Sequence, residues 1–241
     1  MPPRARGLDE RMRSIVRLPR RATQLVIGIV LYGLAIAMIV RGELGVSPWD
    51  VLTLGIQVQS GLPFGLITVL ISVVVLLIWI PLRQRPGFGT LFNALFVGPC
   101  ADLGLWLIPE GLDLWWRILL LAGGILTLGL ATGLYIGALF GPGPRDGLMT
   151  GLHRVTGWRI WIVRTSLEVV VLAIGWMLGG DVGIGTVAFA LLIGPICGVT
   201  IRWFTVDIGS AAVTETTAER DARGSVEPSD PDTVPGDSPA S

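Results

Sequence analysis

The chain has 241 residues, a formal net charge of zero, and only 15% charged residues against 51% apolar ones; its mean hydropathy is +0.70. A soluble domain usually carries about a quarter charged residues, so this composition excludes an ordinary soluble globular protein and points to helical membrane spans. The charge is lopsided as well: arginines crowd the first 21 residues, acidic residues crowd the end, and lysine is absent.

In chain order, residues 1–22 read as a basic cytoplasmic arm. The apolar run that follows passes straight into Arg41, Gly42, Glu43, Leu44 and Gly45 with no small-residue cleavage signature. It is therefore a span and not a signal peptide. Arg20 and Arg21 form a twin arginine, but the rest of a twin-arginine export signal is missing. Six spans are expected, at about 23–40, 63–81, 88–108, 116–138, 158–178 and 183–204, since a bilayer core of about 30 Å needs about twenty apolar residues. Arg83, Arg85, Arg145, Arg154 and Arg159 fall in loops on the side of the N-terminal arm. Glu43, Asp50, Glu110, Asp113 and Asp181 fall on the other side, with Arg41 beside them. The positive-inside rule then places both termini in the cytoplasm of a bacterial inner (cell) membrane. Residues 207–241 are Ser, Thr, Pro and acidic residues with little to bury, and read as a disordered acidic cytoplasmic tail. The transmembrane domain is 23–206.

The sequence repeats itself at an offset of 96. Gly45, Pro48, Asp50, Leu52 and Gly55 recur as Gly141, Pro144, Asp146, Leu148 and Gly151. GFGT at 87–90 recurs as GIGT at 183–186, and ALFVGP at 94–99 as ALLIGP at 190–195. Each half, about 23–108 and 116–204, holds three spans. An odd number makes consecutive halves enter the membrane in opposite senses. The expected fold is all-α: six transmembrane helices as two inverted three-helix repeats, a plan shared by many transporters.

Each half also carries a short helix after its first span. Ser47 suits an N-cap and Pro48 a first helical residue; Asp50 then falls in the first turn, where the helix dipole favours a negative charge. Asp50, Thr53, Gln57 and Ser60 form one polar stripe, and Asp146, Thr150, His153 and Gly157 another. Two placements are open. The helices are re-entrant and line a shared cavity, or they lie flat in the interface, where Arg145, Arg154 and Arg159 suit the second copy. Mid-membrane Arg164 and Glu168, at i and i+4, are each other's expected partners; their first-half counterparts are Thr68 and Ser72. Asp102 either pairs with Arg164, lines a path or reaches water. Gly129, Gly133 and Gly137 form a close-packing helix face, matched by Gly33 and Ala37.

No HExxH, GxSxG or Walker loop occurs, and one histidine leaves little room for acid–base chemistry. The sequence thus predicts no enzyme, no catalytic residue and no cofactor. Cys100 and Cys197 have no metal-ligand spacing, so no metal is expected. The arginine-rich arm is explained by topology, so no nucleic acid is expected.

The stretches GELGVSPWDVLTLGIQ, GFGTLFNALFVGP and GIGTVAFALLIGP resemble the YczE/YyaS-like integral membrane proteins, relatives of the YitT group, over residues 23–206. The second copy reads GPRD where the first has SPWD. The resemblance implies a multi-pass bacterial membrane protein and says almost nothing of substrate. From the residues, the chain reads as a transporter-like or permeation protein for a small solute. The alternative is a non-transporting scaffold or accessory factor for another enzyme or assembly. Its partners are the lipid bilayer and either a solute or a membrane protein. Candidate substrate-binding residues are Asp50, Gln57, Asp146, Thr150, His153, Arg164 and Glu168.

Overall fold

A computed structural model describes residues 18–205, and all its regular elements are helices. They are α1 (Leu18–Gly42), α2 (Pro48–Ser60), α3 (Phe64–Trp79), α4 (Phe88–Leu107), α5 (Leu114–Gly137), α6 (Pro144–Thr156), α7 (Ile160–Met177) and α8 (Ile184–Phe204). Residues 18–22, expected in the basic arm, are the first turns of α1; the rest of the arm and the acidic tail lie outside the described residues. Five helices, α1, α4, α5, α7 and α8, are long and apolar enough to cross a membrane. At 16 residues, α3 rises only about 24 Å. It follows α2 across a 116° bend, so the count reaches six if that bent pair is one span.

Many exposed side chains on these helices are large and apolar, Leu70, Leu77, Leu95, Leu126, Val170 and Leu191 among them. Such a surface suits lipid contact. Tryptophans mark two levels. Trp106, Trp115, Trp116 and Trp176 are exposed where α4 and α7 end and α5 begins. Trp158, Trp161 and Trp203 are exposed where α7 begins and α8 ends. Indole rings at both ends of the spans form the aromatic belts of a membrane-crossing bundle. The protein is a multi-pass helical membrane protein.

The core runs along α1 and α5. They pack on each other, α1 also packs on α4, and α5 on α8. The glycine face expected on α5 carries that second contact. A methyl on Gly133 would sit 2.7 Å from Thr200, and one on Gly137 2.6 Å from the Phe204 carbonyl carbon. Thr200 donates its hydroxyl to the Gly129 carbonyl at 2.7 Å. The matching positions on α1 behave alike: a methyl on Gly33 would overlap Cys100 on α4, and Gly104 faces Ala37. Small residues let backbones approach, and dispersion and weak polar contacts then hold helices together where lipid offers no hydrophobic drive. Polar clasps close the ends. Gln24 donates to the carbonyls of Leu134 (3.2 Å) and Phe204 (2.7 Å). At the opposite end Arg41 pairs with Glu110, and Arg117 donates to the Gly42 carbonyl at 3.0 Å.

Every helix start recurs 96 residues later: Leu18 and Leu114, Pro48 and Pro144, Phe64 and Ile160, Phe88 and Ile184. The packing is not equally repeated. Where α3 packs along α4, Gly65 and Gly98 meet backbone to backbone. There Asp102 accepts the Gly65 N–H at 2.7 Å, satisfying a donor that the first turn of α3 leaves unpaired. Asp102 is thus a cap for α3 and does not pair with Arg164. The equivalent helices, α7 and α8, do not pack along each other.

Candidate functional site

The site begins with how α2 and α6 start. Ser47 has an extended backbone and caps α2, with Pro48 as the first helical residue. Its hydroxyl accepts from the Asp50 N–H at 3.3 Å and donates to Asp50 Oδ2 at 2.5 Å. One hydroxyl can do both because its lone pairs and its proton are separate resources. The helix ends after 13 residues, where Gly61 turns left-handed (φ 69°) and its N–H closes on the Gln57 carbonyl. Glycine suits that conformation because no Cβ opposes it. The second copy starts on Gly143, which has no side chain to cap with, then Pro144, and ends on Gly157 at φ 70°. Asp146 takes a different partner, the Tyr135 hydroxyl from the preceding helix.

These two helix starts meet. Arg145 Nη2 lies 3.7 Å from Asp50 Oδ1, and its guanidinium stacks over the Trp49 ring at 5.1 Å. Trp79 on α3 donates to the Pro144 carbonyl at 3.1 Å, which pins the start of α6. Between them is a cavity of about 170 Å³. A water occupies about 10–15 Å³ on this measure, so there is room for several waters or a small polar group. Asp50 is 1% exposed, and its Oδ1 has no hydrogen-bond partner among the described residues. Across the cavity, Arg164 donates from Nε to Glu168 Oε1 at 2.9 Å, as the i, i+4 spacing predicts.

Four of the seven expected site residues line this cavity: Asp50, Asp146, Arg164 and Glu168. Gln57, Thr150 and His153 do not. Only the start of each short helix faces inward, as far as Asp50 on α2 and Met149 on α6, because the helix then runs away from the cavity. Far along α2, Gln59 donates to the Leu178 carbonyl at 3.0 Å. Gln57 is half-buried there, and Ser60 is exposed. Thr150 spends its hydroxyl on the Gly147 carbonyl. His153 is exposed, with Nδ1 against the Trp158 carbonyl. The polar stripe thus fails beyond its first turn. Each helix has one buried, inward end and one exposed end, so neither the re-entrant nor the flat placement describes its whole length.

Residues that the sequence reading passed over complete the wall. Arg145, expected at the interface, turns inward to Asp50. Tyr32 and Tyr135, the chain's two tyrosines, line the cavity and meet edge to face at 5.8 Å. A tyrosine pair inside two glycine-rich apolar spans was the available signal, since a buried phenol needs a partner. Equivalent positions also contribute together: Thr68 with Arg164, Ser72 with Glu168, and Ser47 with Gly143.

The chain matches a family described as of unknown function, DUF6198, over residues 19–202. It is 38% identical over 200 residues to an uncharacterised protein of Haemophilus influenzae, covering 78% of this chain and 92% of that one. It is 29% identical over 171 residues to the uncharacterised membrane protein YczE of Bacillus subtilis, covering 70% and 80%. To YyaS of the same organism it is 29% identical over 177 residues, covering 72% and 88%. No solved structure matches it.

Proposed function

We propose, for a chain that belongs to the DUF6198 family of YczE- and YyaS-like membrane proteins, that it passes a small charged or polar solute across the bacterial cell membrane, without chemically transforming it, through the cavity between the starts of α2 and α6. The observation that carries the reading is Asp50: a carboxylate 1% exposed beside a cavity in a membrane bundle, its Oδ1 faced by Arg145 at 3.7 Å but without a hydrogen bond among the described residues. Ionisable groups are costly at membrane depth and are retained mostly where they bind or conduct.

The repeat supports the same reading. The two halves are inverted copies related by an axis in the membrane plane, and the site sits where they meet. The hydrogen bond from Gly185 to the Leu44 carbonyl ties the link before α2 to the start of α8. The bond from Gly89 to the Phe140 carbonyl ties the link before α6 to the start of α4. Half-helix ends that converge on a midplane site from opposite faces are the plan of many secondary transporters. Both termini are cytoplasmic in this arrangement. Cysteine placed at Leu112 is then labelled by a membrane-impermeant maleimide in intact cells, and cysteine at Ser225 only after lysis. The reverse pattern inverts the topology; labelling of both in intact cells removes the odd span count of the second half.

The function is tested in proteoliposomes with Cys197, which lines the cavity, as the sole thiol of a Cys100→Ala protein. A cationic, water-soluble thiosulfonate should modify Cys197 from at least one face, and modification should block uptake of a labelled solute drawn from guanidinium, ethanolamine, glycine and phosphate. A Cys197 that is unreactive from both faces, with no uptake of any of the four, overturns the permeation reading in favour of an accessory factor.

A further inference from the structure

The two copies differ most at one seam. Between α3 and α4, Gly65 and Gly98 approach so closely that a methyl on either would overlap the other's carbonyl, and Asp102 bonds the Gly65 N–H across the joint. The positions 96 residues later are Trp161, Gly194 and Gly198. A bulky indole stands where close approach needs glycine, and the carboxylate that bridged the joint is absent. A methyl on Gly194 or Gly198 would meet nothing within 4 Å, and α7 does not pack along α8. The cavity reaches this seam, where Leu167 of α7 and Ile193, Cys197 and Ile201 of α8 line it. The Arg164 and Glu168 side chains stand there 41% and 27% exposed. An ion pair part-exposed one to two turns inside a span is costly unless something polar meets it.

Resting on the permeation reading of the same cavity, we infer that it opens sideways into the bilayer between α7 and α8 and takes an amphiphile with an ammonium-bearing zwitterionic head. The head is fixed by what the walls leave over. Asp50 Oδ1 is buried and takes no hydrogen bond among the described residues, with Arg145 standing off at 3.7 Å, so an ammonium N–H finds an acceptor there. Arg164, which lines the cavity, bonds Glu168 through Nε alone, so its outer nitrogens hold no hydrogen bond among the described residues and are left for an anionic group such as phosphate, which a planar guanidinium grips well. The tail is fixed by the apolar wall of α8, along which a chain leaves to lipid. A head with ammonium and phosphate but no tail gains nothing from the seam.

The test uses full-length Cys100→Ala protein in nanodiscs of phosphatidylglycerol, whose heads carry no ammonium. The readout is the rate of Cys197 modification by a small maleimide. Dodecyl phosphoethanolamine should slow it by about tenfold, while phosphoethanolamine alone, dodecylamine and dodecyl phosphate slow it far less. Asp50→Asn should remove the protection. So should Gly194→Phe, which fills the seam from a position with open space around it and keeps the fold if Asp50→Asn does not. Equal protection by phosphoethanolamine overturns lateral entry yet leaves a water-fed permeation site standing. Equal protection by dodecylamine or dodecyl phosphate overturns the zwitterionic head. Protection by none of the probes overturns the inference outright, while uptake of soluble solutes is decided separately.

Discussion

Asp50→Asn is expected to lower solute uptake by about thirtyfold or more, the equivalent of 2 kcal/mol or more at the rate-limiting step, while the protein still folds. The amide keeps the size of the carboxylate and an acceptor for the Ser47 hydroxyl, so the start of α2 survives. What disappears is the charge that faces Arg145 at 3.7 Å and the anionic oxygen that faces the cavity. Removing one partner leaves the Arg145 guanidinium facing a neutral amide, a change that costs about 3–5 kcal/mol in a fully buried pair; Arg145 is 20% exposed and stands 3.7 Å away, so the cost here is smaller. Arg145 keeps its stacking on Trp49. The stability loss is therefore expected at about 1–3 kcal/mol, below that of a fully buried pair. Uptake per folded molecule, measured beside a thermal melt of the same preparation, decides the matter. If uptake falls only in step with the folded fraction, Asp50 is a structural group and not part of a solute site.

The second large effect is a contrast between equivalent positions. Gly98→Leu should cost about 3 kcal/mol or more and lose most of the folded yield. The new side chain would enter the backbone contact with Gly65, and overpacking against backbone cannot be relieved by a rotamer change. Gly194→Leu, at the matching position of the other copy, should change stability by no more than about 0.5 kcal/mol, as surface substitutions do. Folded yield by gel filtration and midpoint of denaturation in mild detergent report both. Equal damage from the two substitutions would mean that α7 and α8 close on each other as α3 and α4 do.

Much of this architecture was legible because the repeat wrote it twice. Ser47, Pro48 and Asp50 on one side, and Pro144 and Asp146 on the other, announced two short helices. The left-handed glycines Gly61 and Gly157 close them. The Arg164–Glu168 pair followed from helical spacing alone. Direction was not legible. A stripe such as Asp50, Thr53, Gln57 and Ser60 fixes a face of a helix, not where its axis points, and here the axes leave the cavity within two turns. That is why Gln57, Thr150 and His153 fell outside it. Arg145 was misplaced for a related reason. A loop arginine follows the positive-inside pattern wherever its side chain reaches, and only the fold shows that this one turns toward Asp50. The length of α3 was missed because the apolar run at 63–81 includes a turn, Ile80 to Arg83, that hydropathy does not register.

The exchange of Gly65 for Trp161, and of Asp102 for Gly198, bears on how such a protein arises. Two separate identical chains of half this length would have both seams sealed or both seams open, because each substitution would appear in each subunit. Fusion removes that bond between the copies. Once joined by the short segment at 108–113, one half is free to seal itself and serve as a fixed wall, while the other is free to stay unsealed, as the opening proposed between α7 and α8 requires. The duplicated chain can thus specialise its two halves as frame and gate, a division of labour closed to any assembly of equals.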